Sequence, residues 1–476
     1  MRRHMISNRS RGLLAALAAA LLVACGFTQT AGIQGSGAPP VATGSTVSGP
    51  ITGFGSVFVN GVEYGTSAAQ ITIDGQSGTE AQLRAGQIVT LQGTVNSDGT
   101  TGSATTLSYA ADVRGPITTV DLVGDTFTVL GQTVRVTTST VFDDSILSGD
   151  ITGLSGGASV EVSGFADQDG AIIASRVDIA SSSNGFQVKG VVQGLDSAAH
   201  TFQINGLSVD YSAAMPSGTL ANGSTVLVHG SSVSSSSTLL ATHVEVLPGI
   251  GASANQFADL KGIITTFTSA SDFVVLGQHV ATSSTTALVL HGLTLAAGVE
   301  VEVKGKFDAA GVLQAQKVQA TPFSASLVSG LVDSVSASGN TLSVMGVTIT
   351  TSDATTFDDH SSQHVKTFRL SDLHAGDYVL VSGTESTPGT LDAAALTRRN
   401  MANQLYLQGT ATNVVAPNFT ILGETITTTA QTKYQGIGGG ASAATTFFSE
   451  ASNHVVHVSV SNSGGVLTAT AVQIVK

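Results

Sequence analysis

The sequence predicts an all-β fold: about six small five-stranded barrels in tandem, on short linkers, behind an export signal. Three observations predict it. Alternating segments that end in glycine recur in a fixed order roughly every 60–75 residues, the mark of a repeat architecture. With 55 Gly, no Trp and only 5% aromatic residues, the chain is better suited to several small cores than to one large one. A basic and then apolar leader runs directly into the chain's one cysteine.

The first mark of each copy is an apolar residue, any residue, then Gly: Val47-Ser48-Gly49, Val113-Arg114-Gly115, Val188-Lys189-Gly190, Leu260-Lys261-Gly262, Val328-Ser329-Gly330 and Leu407-Gln408-Gly409. The second is an alternating run into a turn: Phe58 to Gly61, Phe127 to Gly131, Phe202 to Gly206, Phe273 to Gly277, Leu342 to Gly346 and Phe419 to Gly423. Alternation with period two means strand, so the aromatic residue that opens this run is expected to face the core. Asn60-Gly61 and Asn205-Gly206 suit a hairpin turn with positive φ, and where Leu precedes Gly the glycine is expected to take that conformation.

A third mark closes another alternating strand at Gly93, Gly164, Gly230, Gly305 and Gly383, with Val460 standing in the sixth copy. The copies end on segments such as Ala174-Ser175-Arg176-Val177 and Ala241-Thr242-His243-Val244. Between the second and third marks lie a short strand and a Leu-rich turn, as at Leu83-Arg84-Ala85-Gly86, long enough for one turn of helix. Five strands with a helical turn between the third and fourth is the element count of an OB-fold. The modules then occupy residues 46–110, 111–181, 186–248, 257–320, 325–400 and 404–476.

These marks resemble the bacterial family named domain of unknown function 5666. The most specific stretch is Gly49-Pro50-Ile51-Thr52-Gly53-Phe54-Gly55-Ser56-Val57-Phe58-Val59-Asn60-Gly61, and later copies lose its Gly-Phe-Gly. The resemblance implies an OB-like module behind a lipoprotein signal and brings no activity with it.

Arg2, Arg3, Arg9 and Arg11 precede an apolar run from Leu13 to Val23, too short to span a bilayer. Leu22-Val23-Ala24-Cys25 resembles a lipobox, so residues 1–24 are expected to be a signal peptide and Cys25 the lipidated residue. Gly26 after it, in place of an inner-membrane retention Asp, favours the outer membrane. Residues 25–45, rich in Gly, Ser, Thr and Pro, form a tether that as flexible coil would span about 25 Å. Removing the leader leaves 15 Lys and Arg against 32 Asp and Glu, a net charge near −17. That balance opposes nucleic acid, whose phosphates require clustered cations.

Gly153-Leu154-Ser155-Gly156-Gly157 matches a nucleophile elbow in letters, but the expected strand follows the Ser instead of preceding it. The glycines at 249–251 and 436–438 lack the strand-to-helix setting of a dinucleotide loop. One cluster carries metal-ligand chemistry: Asp358, Asp359, His360 and His364, with His374 nearby. The second copy repeats Phe142-Asp143-Asp144 without histidines, so turn structure explains the acids better. His454 and His457, three apart on a strand, would face opposite ways.

The expectation is therefore a lipid-anchored envelope protein without catalytic residues or cofactor, contacting a protein, glycan or cell-wall partner through repeated surfaces. The alternative is an exported enzyme or metal-binding protein with its site in module 5 or 6, favoured by the unusual loop from Asp353 to Leu370.

Overall fold

A computed structural model describes Met1 and residues 44–474, apart from residues 55, 98, 123, 138, 144, 147–149, 182–184, 235–236, 248, 251–252, 291–292, 322–325, 401–404 and 436–441. Residues 2–43, which include Cys25 and nearly all of the expected signal peptide and tether, lie outside the described residues. Among the described residues no helix is long and apolar enough to cross a membrane.

The second module shows the plan. Its strands are Val113–Asp121, Thr126–Val129, Gln132–Arg135, Ser159–Ala166 and Ile172–Ile179. The first three form an antiparallel meander, the third runs parallel to the fifth, the fifth pairs antiparallel with the fourth, and the fourth returns to the first. The ring 1-2-3-5-4 is thus closed, with the crossover that a parallel pair needs placed between strands three and four. Modules 1, 4 and 5 close the same ring. In modules 3 and 6 the first strand is split, as Phe186–Val191 with Gln193–Asp196 and as Leu405–Thr410 with Thr412–Val415. The crossover carries a 3-10 turn at Glu80–Gln82, Ile151–Gly153 and Leu370–Asp372, and an α-helix at Ala444–Glu450.

The recurrent glycines have separate causes. At the third mark the fourth strand bulges: register shifts at Gly93, Gly164, Gly230, Gly305 and Gly383. A Cβ on Gly164 would sit 2.3 Å from the Ile173 carbonyl oxygen, which is backbone and cannot swing aside. The bend lets one strand serve both faces of a small barrel. In the sixth copy the shift persists at Ser459/Val460 without glycine.

At the first mark the glycine makes room for the hairpin residue that crosses over it. A Cβ on Gly115 would lie 3.0 Å from Leu130 Cγ, and one on Gly262 2.9 Å from Leu276 Cγ. Here the expectation that glycine alone takes positive φ is corrected: Leu130, Leu276, Met345 and Leu422 stand at φ of 49°, 51°, 51° and 50° themselves. The left-handed backbone costs a branched residue roughly 1–2 kcal/mol. Burying Leu130 and Leu422, 6% and 1% exposed, offsets it.

In module 1 the Phe of the second mark is one residue nearer the turn than in the others. Val57 and Val59 therefore fill the core and Phe58 turns to the outer face, half-buried, because a one-residue offset flips a strand's side chains. Phe127, Phe202, Phe273, Leu342 and Phe419 are in the core as expected.

The modules are not separate beads on linkers. Strand two covers only the C-terminal half of strand one, which leaves an open edge at the first mark, and open edges invite pairing. Each barrel closes that edge with another barrel. Gln187–Val188 of module 3 pair antiparallel with Val113–Arg114 of module 2, and Tyr406–Gln408 of module 6 with Leu327–Ser329 of module 5. Module 1 instead pairs with module 4, Thr46–Ser48 running parallel to Ala258–Leu260. Three 13-stranded sheets result. Buried side chains of modules 2 and 3 form one continuous cluster, and those of 5 and 6 another. A small apolar contact of Ile88, Phe165, Ile173 and Ile263 joins modules 1, 2 and 4.

Candidate functional site

Polar chemistry in this chain concentrates where barrels meet. The residue before each bulge and its partner on the fifth strand point away from their own core: Ser163 opposite Arg176, His229 opposite His243, Lys304 opposite Lys317. In module 2 the position supplies a joint. Arg176, its side chain 4% exposed, pairs with Asp178 at 2.7 Å and with Asp358 of module 5 at 3.1 Å, and donates to the Ala85 carbonyl of module 1 at 3.0 Å. Burial works against its charge, but the two carboxylates outweigh burial and hold the proton more tightly than usual.

A second joint surrounds Arg114, which pairs with Asp74 of module 1 and with Glu161 at 2.7 Å and donates to Gln187 of module 3 at 3.1 Å. Gln187 donates in turn to Asp74 at 2.7 Å, and the Tyr109 hydroxyl to Glu161 at 2.8 Å. The third joint locks modules 1 and 4. Lys304 lies 2.8 Å from both Asp259 and Glu302, and Asn60 donates to the Asp259 side chain at 3.1 Å. One ammonium shared between the buried Asp259 and the partly exposed Glu302 leaves Asp259 pushed up to about 7 by burial, with Lys304 pulling the other way.

The residues flagged as possible metal ligands serve other ends. Asp359 is fully buried and paired with Arg398 through contacts of 2.6 and 3.0 Å, and its oxygens accept the Ser361 and Val365 amides. Burial opposes its charge, yet these donors prevail and hold the carboxyl well below the usual range. Asp358 faces Arg176 and His360, whose Nε2 is 3.0 Å away, while His374 sits near Asp377. His364 occupies a loop position with φ of 45°. Asp143 caps its own turn through the Ser145 amide and hydroxyl, the local role expected for the shared acids. Among the described residues no three His, Cys, Asp or Glu side chains are grouped to hold a metal as they stand.

The long loop of module 5 is a clasp on module 1. Lys366 sits 4.5 Å over the Phe54 ring and donates to the Glu80 carbonyl, while Arg369 sits 4.8 Å over Phe58. The outward turn of Phe58 thus has a use, since a guanidinium on an aromatic face is worth about 0.5–1 kcal/mol or more. Ser155 follows a 3-10 turn and precedes a strand, so it lacks the setting of a nucleophile elbow. His457 packs on Tyr406 with ring centroids 5.1 Å apart and His454 contacts the Ser452 carbonyl, so the two have different partners. The glycines at 436–438 lie outside the described residues.

Among the described residues, recesses open between barrels. One of about 540 Å³ lies where modules 1, 2, 4 and 5 meet, and Pro50, Phe165, Lys261, Glu300, Glu302 and Glu385 are in its wall. Lys261 and Glu300 pair there at 3.2 Å. Another, about 470 Å³, lies between modules 1, 2 and 3 and is walled by Ile73, Asp74, Gln76, Arg114, His229 and His243. The two imidazoles face each other across the strands with centroids 6.1 Å apart, and burial lowers the pKa of His229. Sequence reasoning missed this pair. The signal was available: the third copy alone has His at both positions flanking the bulge.

The family model described as Domain of unknown function (DUF5666) matches residues 114–178, 189–245, 261–319, 329–396 and 408–473. These stretches fall on the second to sixth barrels; the first barrel is not among them, although it closes the same ring of strands. No curated protein matches the chain. With five tandem matches over most of its length, the chain belongs to the DUF5666 family.

Proposed function

We propose that the chain is a lipid-anchored, non-catalytic binding protein of the cell envelope, held through Cys25 at the outer membrane. It offers a fused body of OB-like barrels to a protein, glycan or cell-wall partner. The observation that carries this reading is the use of ionisable groups as inter-barrel joints. Arg114, Arg176, Lys304 and Arg369 all bridge or brace different modules or the strands that join them. Those contacts build recesses that no single barrel owns, and such clefts between packed units are favoured places for a ligand. With 19 Lys and Arg against 32 Asp and Glu, the acidic chain is poorly matched to nucleic acid. The alternative of an enzyme or metal site in module 5 draws no support from Asp358 and Asp359, whose carboxylates face arginines.

Two experiments test the reading. Growth with a radioactive fatty acid is expected to label the full chain and not a Cys25→Ser variant, and label retained in the variant contradicts the anchor. Envelope pull-downs and glycan arrays with the folded chain are expected to return a partner; blank results from both count against a binding role.

A further inference from the structure

We propose that His229 and His243 form the preformed half of a site for a divalent copper ion, completed by Glu245 and water. The two histidines are direct cross-strand partners on Thr225–Val233 and Thr238–Val246, so a hydrogen-bonded sheet, not a loop, sets their spacing. A metal bound about 2.0–2.1 Å from an imidazole nitrogen lies roughly 3.2 Å from the ring centroid, so two rings can share one ion at separations up to about 6.4 Å. The observed 6.1 Å is inside that limit for a wide nitrogen–metal–nitrogen angle of about 145°, which a tetragonal Cu²⁺ site accepts, and is longer than the ~5.2 Å that a tetrahedral Zn²⁺ site would set.

The recess of about 470 Å³ in front of them has room for an ion with its water. Glu245 stands two residues beyond His243 on the same strand and hence on the same face. Its carboxylate lies beside Gly75 of module 1, where an added Cβ would be 3.2 Å from Oε2, and the proposed site requires it to turn from there toward the pair. The local charge favours a cation. Arg114, in the same wall, is paired with both Asp74 and Glu161, so this corner carries more negative than positive groups before Glu245 is counted. Asp74 accepts from Gln187 and the Ala111 amide as well, which makes it a source of potential and not a ligand. Two imidazoles and a carboxylate suit Cu²⁺ better than Mg²⁺ or Ca²⁺.

The test uses the purified full chain and Cu²⁺ alone. Electron paramagnetic resonance is expected to show one ion per chain with the hyperfine pattern of two imidazole nitrogens. His229→Gln and His243→Gln should each weaken binding at least about tenfold, the cost of losing even a supporting partner of a ligand. The double variant should lose stoichiometric binding, and His360→Gln with His364→Gln should leave it intact. A signal from the unmutated chain without two coupled nitrogens, or undiminished binding by the double variant, overturns the proposal.

Discussion

Arg176 offers the sharpest test of the joints, because its partner Asp358 is 182 positions away and can couple to it only if modules 2 and 5 touch. Replacing Arg176 by Ala leaves Asp178 and Asp358 facing each other without a cation, and also strips the Ala85 carbonyl of its donor. Breaking a buried pair from one side costs about 3–5 kcal/mol. Asp178 and Asp358 keep 17% and 22% of their side-chain surface, so solvent relieves part of that, and roughly 2–3 kcal/mol is expected. Asp358→Ala alone should cost less, since Asp178 still neutralises Arg176. Urea unfolding of both single variants and the double variant gives the coupling, expected at about 1 kcal/mol. Additivity within roughly 0.5 kcal/mol would show that the two modules do not meet at this joint and would refute the reasoning.

Gly164→Ala should destabilise by about 1–3 kcal/mol, because its Cβ meets backbone, whereas Gly156→Ala, with nothing within 4 Å, should be neutral or slightly stabilising; thermal melts compare them. Asp359 has a folded pKa below its unfolded value near 3.9, so its contribution is present above about pH 4 and fades as pH falls through the folded value. Acid titration of stability should therefore be steeper for the native chain than for Asp359→Asn, and identical slopes would contradict the pairing with Arg398. Phe58→Ala removes the platform under Arg369 and should speed proteolysis within residues 361–369, read by mass spectrometry, while a Phe127→Ala variant acts on the core instead.

Much of the fold was legible because strand alternation and glycine punctuation are local signals. The bulge glycines mark where the fourth strand bends, and that order of marks is enough to count strands. What escaped was set by tertiary contact. Nothing local says that Leu130 will accept positive φ, since the compensation is burial over Gly115. The outward Phe58 follows from a one-residue offset visible in the sequence, but its use awaits Arg369 from module 5. The acids at 358 and 359 were legible as turn formers and not as joint members. Pairing of module 1 with module 4 has no sequence signature beyond an open edge, because any first mark offers the same edge.

Small-angle X-ray scattering of the full chain measures most directly whether six barrels make one body. A compact domain of this length has a radius of gyration of about 22–23 Å, and the full chain is expected to stay below about 28 Å. Six barrels strung on flexible linkers would instead exceed roughly 40 Å, and that value would contradict the account.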